Sequence, residues 1–235
     1  MTGSILIVSY NNLSLTKAVV RTSLEQDTPC SVLVVDNGST DGTDKWLHTK
    51  PVSTCFGRQQ SLAACWNLGI GYFRHCGAPE VLVLNNDVEI PRNFYRLLRD
   101  CNKPFISGVP VDDRSRLAEV KTVDYLLSTA NPHPSFSAFM IRREVVDKVG
   151  FFDEEYYPAY FEDGDMHVRM HRAGVEAVSV DLPFYHVRSS TLNNSSESDR
   201  LRIERGFEAN KKRFREKYHC VPGTPEYEEL FKLYL

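Results

Sequence analysis

Short apolar runs that stop abruptly at polar residues recur along the chain, and several are followed by a stretch of helical periodicity. Ser4 to Ser9 is the first such run. It ends in Tyr10-Asn11-Asn12, and Leu13 to Glu25 then carries Leu15, Val19 and Leu24 at helical spacing. Ser31 to Val35 is the second, ending in Asp36-Asn37-Gly38-Ser39-Thr40-Asp41-Gly42-Thr43, a loop built of turn residues, before a short helical stretch at Asp44 to His48. Gln59 to His75 reads as a helix through Leu62, Cys65, Trp66, Gly69 and Phe73, and it leads into Val81-Leu82-Val83-Leu84. Four apolar residues are too few for a helix and suit a strand buried on both faces. Right-handed β-α-β crossovers put the polar loops after these strands on one edge. The pattern predicts an α/β domain with a mostly parallel central sheet flanked by helices.

Beyond the third strand the pattern predicts a helix at about Asn93 to Cys101 and a strand at Phe105 to Val109. Asp112 to Asp124 is charged and poorly patterned, and reads as a loop or hairpin. Asn131-Pro132-His133-Pro134 is rigid and non-helical; Ser135 to Ile141 returns as a strand, and Arg142 to Val149 as a helix stopped by Gly150. Aromatic residues then lead to an acidic knot, Glu162-Asp163-Gly164-Asp165, at the start of a helix running to about Ala173. Val175 to Val180 is a further strand, and a hydroxyl- and amide-rich segment follows from Pro183 to Ser196. Arg200 to Tyr218 is an amphipathic helix with Ile203, Phe207, Phe214 and Tyr218 on one face, and a short helix is expected near Glu226 to Leu235.

At 235 residues the chain is long enough for one α/β domain with a full core. The expected division is a domain over residues 1–199, with a nucleotide-binding half to about 91 and an acceptor and catalytic half from 92. Residues 200–235 form a helical extension packed on it. A formal charge of −3 gives no global basic field for nucleic acid. The 200–218 helix is the exception, with eight basic against three acidic residues. It reads as a solvated face docked by its aromatics, or as a contact for an anionic acceptor, a membrane surface or nucleic acid. No uncharged apolar run approaches the length of a membrane span, and no charged region precedes Ser4 to Val8 as in a signal peptide. The six cysteines show no CxxC or metal-ligand spacing. Together these features predict a cytoplasmic protein, with peripheral contact at the inner membrane face left open by the basic helix.

The candidate chemistry lies at the strand ends. Asp87, with Glu89 two residues on, offers hard oxygen ligands suited to Mg²⁺ or Mn²⁺, completed by a diphosphate that a substrate brings. The competing reading is that Asn85 to Glu89 merely turns the chain and caps the next helix. Acidic residues at 162, 163 and 165 belong at a helix N-terminus, yet the dipole accounts for one carboxylate better than for three, and one among aromatic neighbours can serve as a general base. Asn67 reads as a satisfied amide or a ligand contact, and Arg58 as a solvated cation or a phosphate contact. His186 is placed between a strand and the polar segment.

Five segments in order resemble the family 2 nucleotide-sugar glycosyltransferases, which have the GT-A fold. They are Ile5 to Asn11, Val34 to Thr43, Trp66-Asn67-Leu68-Gly69-Ile70, Leu84-Asn85-Asn86-Asp87-Val88, and a run from Arg142 through Gly150 and Phe161 to Arg169 that closes with His186. The resemblance implies that Ser9, Tyr10, Asn11 and Asp36 hold the base and ribose of a uridine-type nucleotide, with Arg58, Asn67 and Asn86 nearby. It implies Asp87 as the metal carboxylate of a DxD motif, His186 as a residue closing on the metal and diphosphate, and Asp163 as catalytic base. Arg188, Ser190, Glu89, Glu162 and Asp165 become candidate phosphate or acceptor contacts. Asn85 departs from the motif, standing where its first carboxylate would be. The implied cofactor is Mn²⁺ or Mg²⁺, and the implied partners are a UDP- or dTDP-linked donor and an acceptor hydroxyl. Pro134 to Ala138 and Tyr156 to Tyr160 are expected to line the acceptor or sugar. Two other readings remain: a nucleotidyltransferase, against which Tyr10-Asn11-Asn12-Leu13 lacks a basic Gly-rich loop, and a binding module that has lost turnover.

Overall fold

The computed structural model describes residues 2–187 and 197–232. Its centre is an eight-stranded sheet: β1 (Gly3–Ser9), β2 (Cys30–Asp36), β3 (Ser53–Phe56), β4 (Glu80–Asn85), β5 (Val88–Glu89), β6 (Phe105–Val111), β7 (Ala138–Arg142) and β8 (Ala177–His186). The spatial order is β3-β2-β1-β4-β7-β6-β8-β5. Pairs β1–β2, β2–β3, β1–β4 and β6–β8 are parallel, whereas β7 runs antiparallel to both neighbours and β5 antiparallel to β8. The helices are α1 (Leu13–Leu24), α2 (Thr43–Leu47), α3 (Leu62–His75), α4 (Phe94–Asp100), α5 (Val123–Ser128), α6 (Arg143–Val149), α7 (Glu162–Arg172), α8 (Glu197–Tyr218) and α9 (Pro225–Glu229). This is the expected α/β architecture, with the mostly parallel sheet of the GT-A fold.

The period-two alternation of the strands divides the core. Ile5, Ile7, Val32, Val34, Leu82 and Leu84 face α1 and α4; Leu6, Val8, Leu33, Val35, Val81 and Val83 face α3 and the methionines of α7. Helix α3 shows how a local motif serves this packing. Trp66 is fully buried against Phe139 and Phe152. A Cβ on Gly69 would lie 2.2 Å from Leu6, so only glycine lets α3 settle on β1.

Several segments differ from the sequence expectation. The edge strand β3 has only four residues, too short for a periodic signal. Residues 112–124 contain a 3-10 turn at Arg114–Ala118 and the start of α5, held by Asp181, which accepts from Tyr125, Lys121 and Arg116. Strand β8 continues six residues past Val180, because β6 and β5 pair with Pro183 to His186. Helix α3 starts three residues after Gln59, at its Ser61 cap, whose hydroxyl accepts from the Ala64 amide.

A third apolar cluster, Tyr156, Phe161, Val168, Phe214, Tyr218 and Tyr227, seats α8 and α9 against α7. Asp165 locks this joint. Fully buried, it accepts from Arg169 Nε at 2.7 Å, Lys217 Nζ at 2.6 Å and the Tyr218 hydroxyl at 2.8 Å. These bonds occupy the carboxylate, which corrects the expectation of Asp165 as a phosphate or acceptor contact. Asp165→Ala would take the shared acceptor from Arg169, Lys217 and the buried Tyr218 hydroxyl, and a loss of about 2 kcal/mol is expected from urea unfolding. A loss below about 1 kcal/mol would show that the joint does not depend on the pair.

Candidate active site

In chain order the sheet grows from β1 through β2 to β3 and then resumes on the other side of β1 with β4. The crevice between the carboxyl ends of β1 and β4 is therefore a topological switch point, where crossovers leave in opposite directions and open a gap for ligands. Tyr10-Asn11-Asn12 and Asn85-Asn86-Asp87 border it.

The border is tied by side chains. Asn11 and Asn12 adopt left-handed φ values of 53° and 58°, a conformation Asn tolerates better than most residues. Asn86 Nδ2 donates to the Asn11 carbonyl at 3.0 Å and to Thr16 Oγ1 at 3.3 Å, and Ser9 Oγ lies 2.9 Å from the same Thr16 oxygen. The Asn11 amide donates to Ser39 Oγ at 2.7 Å, the Thr40 amide donates to Asn11 Oδ1 at 2.8 Å, and the Leu13 amide donates to Asp41 at 2.8 Å. Ser39 in turn donates to Asp36, which is 1% exposed. Burial pushes the Asp36 carboxyl up against that hydrogen bond. Ser9, Asn11, Asp36 and Asn86 thus form one bonded rim.

Asp87 and His186 are 99 positions apart in the chain. They meet because β5 lies antiparallel to the end of β8, pairing Val88 with His186, while the Val187 amide donates to the Asp87 carbonyl at 3.0 Å. His186 Nε2 is 3.4 Å from Asp87 Oδ2. An imidazole and a carboxylate suit Mn²⁺ or Mg²⁺ with open positions for phosphate oxygens. Asn85 Oδ1, at the end of β4, is buried without a partner among the described residues. No group of three or more His, Cys, Asp or Glu side chains is arranged to hold a metal alone among the described residues. Glu89 is not part of this seat: its oxygens accept from Arg114 at 2.7 Å and Arg21 at 3.2 Å, so its charge is already matched.

The acidic knot opens α7. Tyr160 and Phe161 precede it with φ of 78° and 76°, two consecutive aromatic residues in a region that costs bulky side chains about 1–3 kcal/mol each. Glu162 is 3% exposed and its Oε2 has no partner among the described residues. Burial, and then the charge of Asp163, push its carboxyl well up; burial also raises Asp163, against backbone amides of Phe161, Asp163 and Gly164. The Tyr160 phenol is raised by burial and then by the charges of Glu162 and Asp87. Tyr157 and Tyr160 keep 42% and 39% of their surface open, but Tyr156 is wholly buried and cannot line an acceptor.

Other expected contacts lie elsewhere. Asn67 accepts from the Phe152 amide at 2.9 Å and donates to its carbonyl at 2.9 Å and to Glu154. Its amide is used in holding the 152–154 turn on α3, so it serves the packing and not the rim. Arg58 is exposed in the loop between β3 and α3. Arg188 and Ser190 lie outside the described residues. One contact escaped sequence reading: Arg202 of α8 reaches Tyr10 and Gln59. A lone arginine in a basic helix carries no signal of where it lands.

The sequence model described as Glycosyl transferase family 2 matches residues 4–150, and the chain belongs to that family. A dTDP-rhamnosyl transferase, RfbF of Shigella flexneri, is 29% identical over 177 residues, 66% of this chain and 59% of that protein. This chain thus spans about three fifths of the length of that relative. Among solved structures, the mannosyltransferase PcManGT from Pyrobaculum calidifontis, in complex with GDP-Man and Mn²⁺, aligns with a TM-score of 0.59 at 18% identity over 97% of this chain and 67% of that one. TarS 1–349 of S. aureus in complex with UDP aligns with a TM-score of 0.57 at 14% identity over 98% and 70%. At these identities the structures establish the shared fold.

The Glu162 carboxyl carries a linkage prediction. Its folded pKa is raised above the unfolded value, so its contribution to stability is present below the ordinary Glu range and is lost as pH rises through the folded pKa. Glu162→Gln removes that loss. Urea unfolding at about pH 5 and about pH 8 should show the variant gaining on the wild type at the higher pH; parallel pH slopes would mean that Glu162 ionises without penalty.

Proposed function

We propose that the protein transfers a sugar from a nucleotide-sugar donor, UDP- or dTDP-linked, to an acceptor hydroxyl with inversion at the anomeric carbon. The observation that carries this reading is the Asp87–His186 seat at the switch point, bordered by the bonded rim of Ser9, Asn11, Asp36 and Asn86. Relatives support the donor class: one is a dTDP-rhamnosyl transferase by name, and fold neighbours hold GDP-Man with Mn²⁺, and UDP.

The rim binds base and ribose, with Asp36 accepting from donor hydroxyl or imide groups. Asp87 and His186 would hold a divalent cation. Bound there, the cation would neutralise charge on the departing nucleoside diphosphate. Asp163 takes the proton from the acceptor hydroxyl as that oxygen attacks the anomeric carbon from the opposite face. The new carbon–oxygen bond forms as the bond to the diphosphate oxygen breaks, and the electron pair leaves with the nucleotide. Glu162, deeper and reluctant to ionise, is assigned an acceptor-side role as a protonated donor. A nucleotidyltransferase would need a basic phosphate loop after β1, where Tyr10-Asn11-Asn12 stands.

The acceptor is assigned to the face along α8. A groove of about 1180 Å³ runs along this helix, with Arg205, Lys212, Arg213 and Lys217 against Glu155 and Glu216. The excess of positive charge favours an anionic acceptor. Charge reversal in Arg205→Glu with Lys212→Glu is expected to weaken transfer to that acceptor and leave nucleotide release intact; unchanged transfer removes the groove from the pathway. A cytoplasmic setting is part of the proposal. It is supported by six cysteines that are all free thiols.

The deciding experiment measures nucleotide release from UDP-, dTDP- and GDP-sugars with Mn²⁺, with Mg²⁺ and with EDTA. Metal-dependent release of one donor is expected, reduced about 10²–10⁴-fold in Asp163→Asn and at least as far in Asp87→Ala. A larger loss in Glu162→Gln than in Asp163→Asn would transfer the base role to Glu162. No release and no metal-dependent nucleotide binding in the wild type would leave the binding-module reading.

A further inference from the structure

The donor rim has a wall that the family-matched residues 4–150 do not supply. Helix α8 begins at Glu197, and its first turns lie over Tyr10. The Arg202 guanidinium sits 5.6 Å from the Tyr10 ring centroid and donates to the Tyr10 hydroxyl at 3.4 Å, to Gln59 Oε1 at 2.6 Å and to Asp199, 2.8 Å away. The Tyr10 hydroxyl donates to Asp199 at 3.0 Å. One cation therefore joins the loop after β1, the loop after β3 and the C-terminal helix.

Each partner is itself set for this contact. Gln59 holds a left-handed φ of 49° in a loop fastened to the rim, since the Gln59 amide donates to the Asn37 carbonyl at 3.3 Å and the Gln60 amide to Asn37 Oδ1 at 2.8 Å. Gly206, one turn on from Arg202, is where α8 descends: a Cβ there would lie 2.2 Å from Pro158 and 2.7 Å from the Tyr157 carbonyl. Arg202 Nε is buried and has no partner among the described residues. A buried guanidinium N–H without an acceptor is costly in a structural ion pair, and a ligand oxygen would supply the missing acceptor.

We propose that Arg202 is a positioning residue for the donor, holding Tyr10 and Gln59 as one wall of the nucleotide pocket and presenting a cation at its mouth to the anionic nucleoside diphosphate. This rests on the glycosyltransferase reading of the switch point and extends it to a helix outside the family-matched segment. Arginine suits the task because its planar fork reaches several acceptors while its face lies on an aromatic ring. Lysine keeps the charge and loses the fork. Glutamine keeps a donor and loses the charge.

The test titrates UDP and dTDP with Mn²⁺ into wild type, Arg202→Gln, Arg202→Lys, Tyr10→Phe and the Arg202→Gln/Tyr10→Phe pair, and follows donor KM and kcat alongside. Arg202→Gln is expected to weaken nucleotide binding and raise donor KM about tenfold with kcat changed less than about threefold, as a charge-assisted contact made in the ground state would. Arg202→Lys should recover part of the loss, and the double variant should lose less than the two single losses combined. Amide hydrogen exchange at residues 10–12 and 57–60 should rise in Arg202→Gln while the strands keep their protection. Unchanged nucleotide affinity in Arg202→Gln, with Asp87→Ala still abolishing metal-dependent binding, overturns the role of Arg202 and leaves the donor site standing. A fall in kcat and in core protection at constant KM reduces Arg202 to a structural tie, which also overturns it. A wild type that binds neither nucleotide removes the donor site itself and Arg202's role with it.

Discussion

A sheet buried on both faces cannot carry chemistry on its faces. The central positions of β1, β2 and β4, at residues 5–8, 32–35 and 81–84, are apolar and sealed by α1 and α4 on one side and α3 and α7 on the other. Polar groups that must meet a ligand are confined to the strand ends, where backbone groups run out of ladder partners and loops turn outward. The reversal of strand order beside β1 then selects one crevice along that edge. Ser9, Asn11, Asp36 and Asn86 lie on or next to its border, and their hydrogen bonds hold the border in shape before any ligand arrives.

The same constraint explains why motif residues divide into two kinds. Trp66, Asn67 and Gly69 belong to a segment that resembles the family as strongly as the one around Asp87, yet their work is to bring α3 down on β1 and to pin the turn at Phe152. Asp165 sits two residues from the proposed base and spends its charge on Arg169, Lys217 and Tyr218. Proximity in the sequence to a catalytic candidate is therefore a poor guide to role; whether the side chain's valences are already satisfied is a better one.

The C-terminal helices turn this sheet edge into an enclosed site. Their aromatic residues close over Tyr156 and Phe161, and the α8 groove gathers positive charge on an otherwise acidic chain. Raised carboxyls at Glu162 and Asp163 follow from this enclosure, since desolvation disfavours the ionised form more strongly than the α7 dipole favours it.

What the sequence by itself determined was the periodic and the local: strand and helix order through α4 apart from the short strands β3 and β5, the glycine stop at Gly150, and the polar loops at strand ends, because these follow from side-chain alternation and turn chemistry within about ten residues. The resemblance added Asp36, Asp87, Asp163 and His186 as candidates. The tertiary structure alone decided which of them meet. The two-residue β5 is too short to leave a periodic trace, yet its pairing with β8 is what sets His186 against Asp87. Glu89 looks like a metal ligand until Arg21 and Arg114 arrive from distant segments to match its charge. Arg202 is one cation among eight in its helix until the fold lays it on Tyr10. In each case the deciding partner is far away in the chain, and no pattern within a single segment encodes a contact whose other half lies elsewhere.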